Sequence, residues 1–178
     1  MEELTLGEIV VRILSAAGIA GVLGWEREVH DKPAGLRTNM MVAIGAATVT
    51  IVTIELCLSL SAFPHDGIRA DPVRAVSGVI GGLGFLGAGA ILQSRGNVRG
   101  MTTAATIWVV GGLGVACGLG MFRVAVTAAV TAFIVLLAVG RLEAHGLKSK
   151  SREPNREDEA PHKADSAVAA NPPARRTP

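Results

Sequence analysis

Five stretches of this chain are long and apolar enough to cross a lipid bilayer, and that repetition constrains everything else about it. About 30 Å of hydrocarbon is spanned by roughly 20 apolar residues in a helix. Runs near that length extend from about Leu6 to Trp25, Asn39 to Phe63, Pro72 to Gln93, Met101 to Gly120 and Phe122 to Gly140. The expected fold is therefore all-α: a polytopic membrane domain over residues 1–140, surrounded by the lipid bilayer.

Composition supports this reading. Aromatic residues make up only 3% of the chain and Tyr is absent, whereas there are 22 Gly. Large rings that would fill a soluble core are missing, and small residues suit helices that pack backbone against backbone in lipid. The formal charge of +2 conceals an uneven distribution, because residues 141–178 alone hold eight Lys or Arg and six Asp or Glu. That balance is no nucleic-acid signature. The same segment has no apolar periodicity to offset chain entropy, so a disordered polar tail is expected after residue 140. The start, Met1-Glu2-Glu3, lacks the positive region of a signal peptide, and the first helix is expected to stay in the mature protein.

Orientation follows from the short loops. Arg27, Lys32, Arg37, Arg95, Arg99, Arg141, Lys148, Lys150 and Arg152 fall on one side, against Arg69, Arg74 and Arg123 on the other. The positive-inside bias predicts an outer N-terminus and a cytoplasmic C-terminus.

Some local features read as structure first. Asp71 before Pro72 suits an N-cap followed by proline in the first turn, and Thr102 and Thr103 stand where the fourth helix begins. Glu8 and Arg12 have the spacing of an interfacial ion pair. Cys57 and Cys117 sit inside spans without ligand spacing and read as small buried residues. His30, His65, His145 and His162 are scattered; a cation at His65 and Asp66 is a minor reading. No arrangement of serine, cysteine or carboxylate groups specifies catalysis, so neither an enzyme nor a cofactor or metal site is expected.

Gly82-Leu83-Gly84-Phe85-Leu86-Gly87 matches the G-x-G-x-x-G pattern of dinucleotide-binding folds. It lies inside a membrane-length run with no acid about 20 positions later, so the pattern is coincidental. Close helix packing is the better reading. Gly78 and Gly82 form a small-x-x-x-small pair, and Gly81, Gly84, Ala88 and Gly89 extend the surface. Helix three is then expected to be central, with the Gly111–Gly114 stretch of helix four packed on it. Gly78, Gly82 and Gly89 are the candidates for packing or for a partner helix.

The loops on the cytoplasmic side bring Glu26, Arg27, Arg37, Thr38 and Asn39 to the same end as Arg99, Thr102 and Thr103. Snorkelling explains arginines there, but not the neighbouring acid, amide and hydroxyls. These residues are expected to form a functional or fold-fixing polar network. Glu55 lies within the second span, about two turns from its outer end, where a charge is costly unless paired or wet. It either snorkels outward or lines a polar cavity, and the nearby boundary favours the first.

Four ordered blocks carry a resemblance: Gly24-Trp25-Glu26-Arg27-Glu28, Pro33 to Asn39, Gly82 to Leu92 and Val98 to Trp108. They closely resemble the MgtC/SapB family of bacterial inner-membrane proteins. The resemblance implies five membrane helices, a cytoplasmic C-terminus and a non-enzymatic role. That role is tied to magnesium limitation, virulence through survival inside phagocytes, and restraint of the proton-translocating ATP synthase. The MgtC branch carries a folded domain after its last helix. The 38 residues after Gly140 look too polar for one, which resembles a shorter SapB-type member. A membrane regulatory protein is expected, acting through helix contacts with a larger complex such as the ATP synthase membrane sector; a homo-oligomer is also compatible. The alternative is a magnesium or other cation transporter or channel, with Glu55 on its pathway.

Overall fold

The computed structural model describes residues 4–62, 71–94 and 97–146. The chain order is α1 (Leu6–Val29), α2 (Leu36–Ala62), α3 (Pro72–Ala90), β1 (Leu92–Ser94), β2 (Asn97–Arg99), α4 (Met101–Gly118) and α5 (Phe122–Gly146). Each of the five helices contains a stretch long and apolar enough to cross a membrane. Residues up to Ala138 form one compact unit. Those from Val139 form a second, described only through the final turns of α5.

Several helix ends differ from the expected boundaries. α1 continues past Trp25 to Val29 because its charged residues find protein partners instead of ending the helix. Glu28 Oε2 accepts from the Leu36 backbone N–H at 2.9 Å, which satisfies an otherwise orphaned donor and starts α2 earlier than Asn39. Between them the chain turns through Asp31 and Ala34, both at positive φ. α3 stops at Ala90, and its expected last residues form β1, paired antiparallel with β2 in the register Leu92 to Arg99. α5 runs on to Gly146, so the first residues assigned to a disordered tail are helical. Residues 147–178 lie outside the described residues, as do His65, Asp66, Arg69, Arg95 and His162.

Caps hold the starts of α1 and α3. Thr5 and Glu8 make a capping box, with Glu8 Oε2 taking the Thr5 N–H at 2.8 Å and Thr5 Oγ1 taking the Glu8 N–H at 3.3 Å. Glu8 is thus a cap first; Arg12 lies within electrostatic reach of it but forms no close ion pair with it among the described residues. Arg12 Nη1 instead donates to the Gly118 carbonyl at 2.6 Å. Asp71 caps α3 as expected, taking the N–H groups of Val73 and Arg74 at 3.0 and 3.3 Å. Thr102 and Thr103 are not caps. The N-cap of α4 is Gly100 at φ 92°, which brings the chain so close to the Ala90 carbonyl that a β-carbon would overlap it.

The central helix is α4, not α3. Ten residues of α4 are buried, whereas α3 buries only Leu83 and Gly87. The reason is the placement of small residues. Gly114 and Gly118 face Ala43, Ala46, Ala47 and Thr50 of α2, and a β-carbon on Gly118 would lie 2.7 Å from Thr50 Cβ and 2.8 Å from the Ala47 carbonyl. The small-x-x-x-small seam therefore joins α4 to α2, allowing near-backbone contact. The core consists of Ala16, Ala20, Leu23, Ala43, Ala47, Val110, Leu113, Cys117 and Ala125, the last supplied by α5. α3 meets α4 through Leu83, which lies over Gly111, and through Gly87 against Ala104. Gly78, Gly82 and Gly89 take no part, since a β-carbon on any of them would meet nothing within 4 Å.

Candidate functional site

Hydroxyl groups within the spans are mostly satisfied inside their own helices. Thr48, Thr50, Thr53 and Ser59 of α2 each donate to the carbonyl four residues earlier, as do Ser77, Thr106, Thr127 and Thr131. Among the described residues the polar groups that reach between helices are far fewer, and apart from the Arg12–Gly118 bond they gather at two places.

The first is the end of the bundle where α1 finishes and α4 begins. Arg27 is only 5% exposed, and its Nη2 donates to Thr103 Oγ1 at 2.9 Å. Asn39 is fully buried beside Gly24, one turn before Arg27, and donates from Nδ2 to the carbonyls of Ala34 at 2.5 Å and Gly35 at 2.8 Å. Glu26 turns toward His30, whose Nδ1 lies 3.3 Å from Oε1 and 2.8 Å from the Glu26 carbonyl. Three buried atoms of this group have no hydrogen-bond partner: Glu26 Oε2, Arg27 Nε and Asn39 Oδ1.

Part of the expected network thus exists, and part does not. Arg27 and Thr103 are joined, and Asn39 is buried at the same α1–α2 contact. Arg37, Thr38, Arg99 and Thr102 are exposed, and no side-chain bond ties them to this group among the described residues. Sequence reasoning missed Glu28 as the acceptor at the start of α2 and Arg12 as the donor to the Gly118 carbonyl at the end of α4. The i,i+4 spacing of Glu8 and Arg12 pointed to each other, and nothing local announced the Gly118 carbonyl across 106 positions.

Glu55 occupies the second place. Its Oε1 accepts from the Leu4 backbone N–H at 2.9 Å, tying the chain before α1 to the C-terminal half of α2. It edges a groove of about 450 Å³ whose other lining is Ile9, Ile13, Thr48, Ile51, Val52, Leu56 and Ser59. The surroundings are a largely apolar groove and not a polar cavity. No group of three or more His, Cys, Asp or Glu stands together among the described residues. Neither cysteine is in a disulfide; Cys117 is buried and Cys57 partly so.

The glycine-rich face of α3 borders a second groove, about 460 Å³, between α2 and α3. Met41, Gly45, Val49, Val79, Gly82 and Leu86 line it, and Gly45 and Gly82 leave open space along it. Phe85 stands 83% exposed on the same helix.

A bundle of five membrane-length helices, with a buried Arg–Thr bond at one end and an apolar groove along one side, defines a multi-pass membrane protein. The chain belongs to the MgtC family, whose profile matches residues 13–145. It is 37% identical over 129 residues to YhiD of Escherichia coli, whose name provisionally assigns it to magnesium transport; the match covers 72% of this chain and 59% of that protein. It is equally similar to MgtC of Salmonella typhimurium, over 72% of this chain and 51% of that one. An uncharacterized Haemophilus influenzae protein is 40% identical over 123 residues, 68% of this chain and 51% of its own length. The chain therefore spans between half and three fifths of these relatives. No solved structure matches it.

Proposed function

We propose that this protein is a magnesium-linked regulatory protein of the bacterial inner membrane, which acts by seating a partner's transmembrane helix in the groove between α2 and α3. The observation that carries this reading is the state of α3. Its glycines at Gly78, Gly82 and Gly89 meet nothing, and it is held to the bundle through Leu83 and Gly87 alone among its buried residues. Helix association in lipid depends on van der Waals contact at small residues, and this face supplies them unused. The membrane sector of the proton-translocating ATP synthase is the first partner to try, because of the resemblance in the sequence. The N-terminus lies outside and the C-terminus in the cytoplasm by the loop charges.

The test is co-purification from membranes. Gly82→Leu fills the groove without touching the core, so it should abolish partner capture while the protein still inserts and migrates as the wild type. Capture that survives both Gly82→Leu and Gly89→Leu would overturn the reading.

A further inference from the structure

The groove between α1 and α2 differs in kind from the one between α2 and α3. Ile9 and Ile13 stand on one side of it and Ile51, Val52 and Leu56 on the other, around about 450 Å³. None of its lining residues is Gly or Ala, so a helix could not approach here as closely as α4 approaches α2. Branched aliphatic walls suit a flexible methylene chain instead. The hydroxyls of Thr48 and Ser59, which also line the groove, already donate to carbonyls of their own helix at 2.8 and 2.9 Å. The one charge in the lining is Glu55. Its Oε1 takes the Leu4 N–H, a neutral donor that leaves the negative charge uncompensated, and no cation pairs with it among the described residues. A carboxylate in a span is costly without a partner of opposite charge or water. The second span, 25 residues long, measures about 37 Å as a helix against about 30 Å of hydrocarbon, which puts Glu55, little more than a turn before its end at Leu60, close to the depth of lipid headgroups.

We propose that the α1–α2 groove binds a membrane lipid whose headgroup carries a primary ammonium, an ethanolamine phospholipid, with one acyl chain along the aliphatic walls and the ammonium on Glu55. Charge complementarity selects this occupant. Apolar walls ending at a carboxylate are the complement of an amphiphile with an apolar tail and a cationic tip. An ammonium donates N–H groups to a carboxylate in a charge-assisted bond, stronger than one between neutral groups. Oε1 holds Leu4, which leaves Oε2 as its acceptor. A phosphoglycerol headgroup, which is anionic and has no cation, is repelled by the same carboxylate. A partner helix fits less well, for want of small residues along the walls. The inference is independent of the helix-docking reading, because the two grooves share no lining residue.

The full chain, stripped of lipid in detergent, is melted with phosphatidylethanolamine, phosphatidylcholine and phosphatidylglycerol of the same acyl chains. Phosphatidylcholine has the same charge as phosphatidylethanolamine but no N–H, and phosphatidylglycerol has neither the cation nor the N–H. Half-maximal stabilisation by phosphatidylethanolamine should need about tenfold less lipid than by either of the others. Glu55→Gln keeps the shape and an acceptor for the Leu4 N–H, and it should bring the three lipids to the same midpoint. Val52→Phe, at a groove position 58% exposed, should raise the phosphatidylethanolamine midpoint several-fold, whereas Val49→Phe, on the α2–α3 groove, should leave it in place. A preference for phosphatidylethanolamine that persists in Glu55→Gln would overturn the proposal. So would a wild type indifferent to all three lipids, which would leave this groove to a protein helix.

Discussion

Arg12 Nη1 donates to the carbonyl of Gly118 at 2.6 Å, joining the N-terminal part of α1 to the last residue of α4. A guanidinium at a helix C-terminus meets both an orphaned carbonyl and the negative end of the helix dipole. The helix it closes is the most buried in the bundle, so the contact locks α4 at one end while Arg27 engages its other end.

Arg12→Met should keep the apolar stem and lose the bond. The expected cost is about 1–2 kcal/mol, the scale of a strong interhelical hydrogen bond in lipid. Unfolding in mixed micelles measures it. Stability equal to the wild type would show that the contact is idle.

Gly114→Ala and Gly112→Ala form a matched pair on one helix. A β-carbon at position 114 would lie 2.8 Å from Ala46 Cβ and 3.0 Å from Ala43 Cα, whereas one at 112 would meet nothing within 4 Å. The first should destabilise by about 1–3 kcal/mol, the range of overpacking, and the second should leave the melting temperature nearly unchanged. Equal effects would contradict the α2–α4 seam.

Glu28→Ala should strip the start of α2 of its acceptor, leaving the Leu36 N–H without a partner at a cost of about 1 kcal/mol. Hydrogen exchange reads this locally. The amides of the first turn of α2 should exchange faster in the variant, with those around Ala43 and Ala47 unaffected.

Magnesium flux into proteoliposomes separates regulation from transport. No saturable flux above empty vesicles is expected for the wild type or for Glu55→Ala, because Glu55 is engaged with the Leu4 N–H beside an apolar groove. Saturable flux that disappears in the variant would refute the regulatory reading and make Glu55 a pathway residue.

The hydrophobic runs of the sequence determined that there are five membrane-length helices, roughly where each lies, and that the first and third loops meet at one end, since length against bilayer thickness and alternation of direction are properties of the chain alone. The Asp71 cap was legible for the same reason: its donors lie two and three residues away. Tertiary structure decided which helix is central. Gly78 and Gly82 have the same spacing as Gly114 and Gly118, and only the facing Ala43 and Ala47 distinguish an interlocked seam from an open face. It also decided the partners of Arg12, Arg27 and Glu28, whose acceptors or donors come from other elements. A charged side chain in lipid must find a partner, but which partner lies within reach depends on how helices distant in sequence are set side by side.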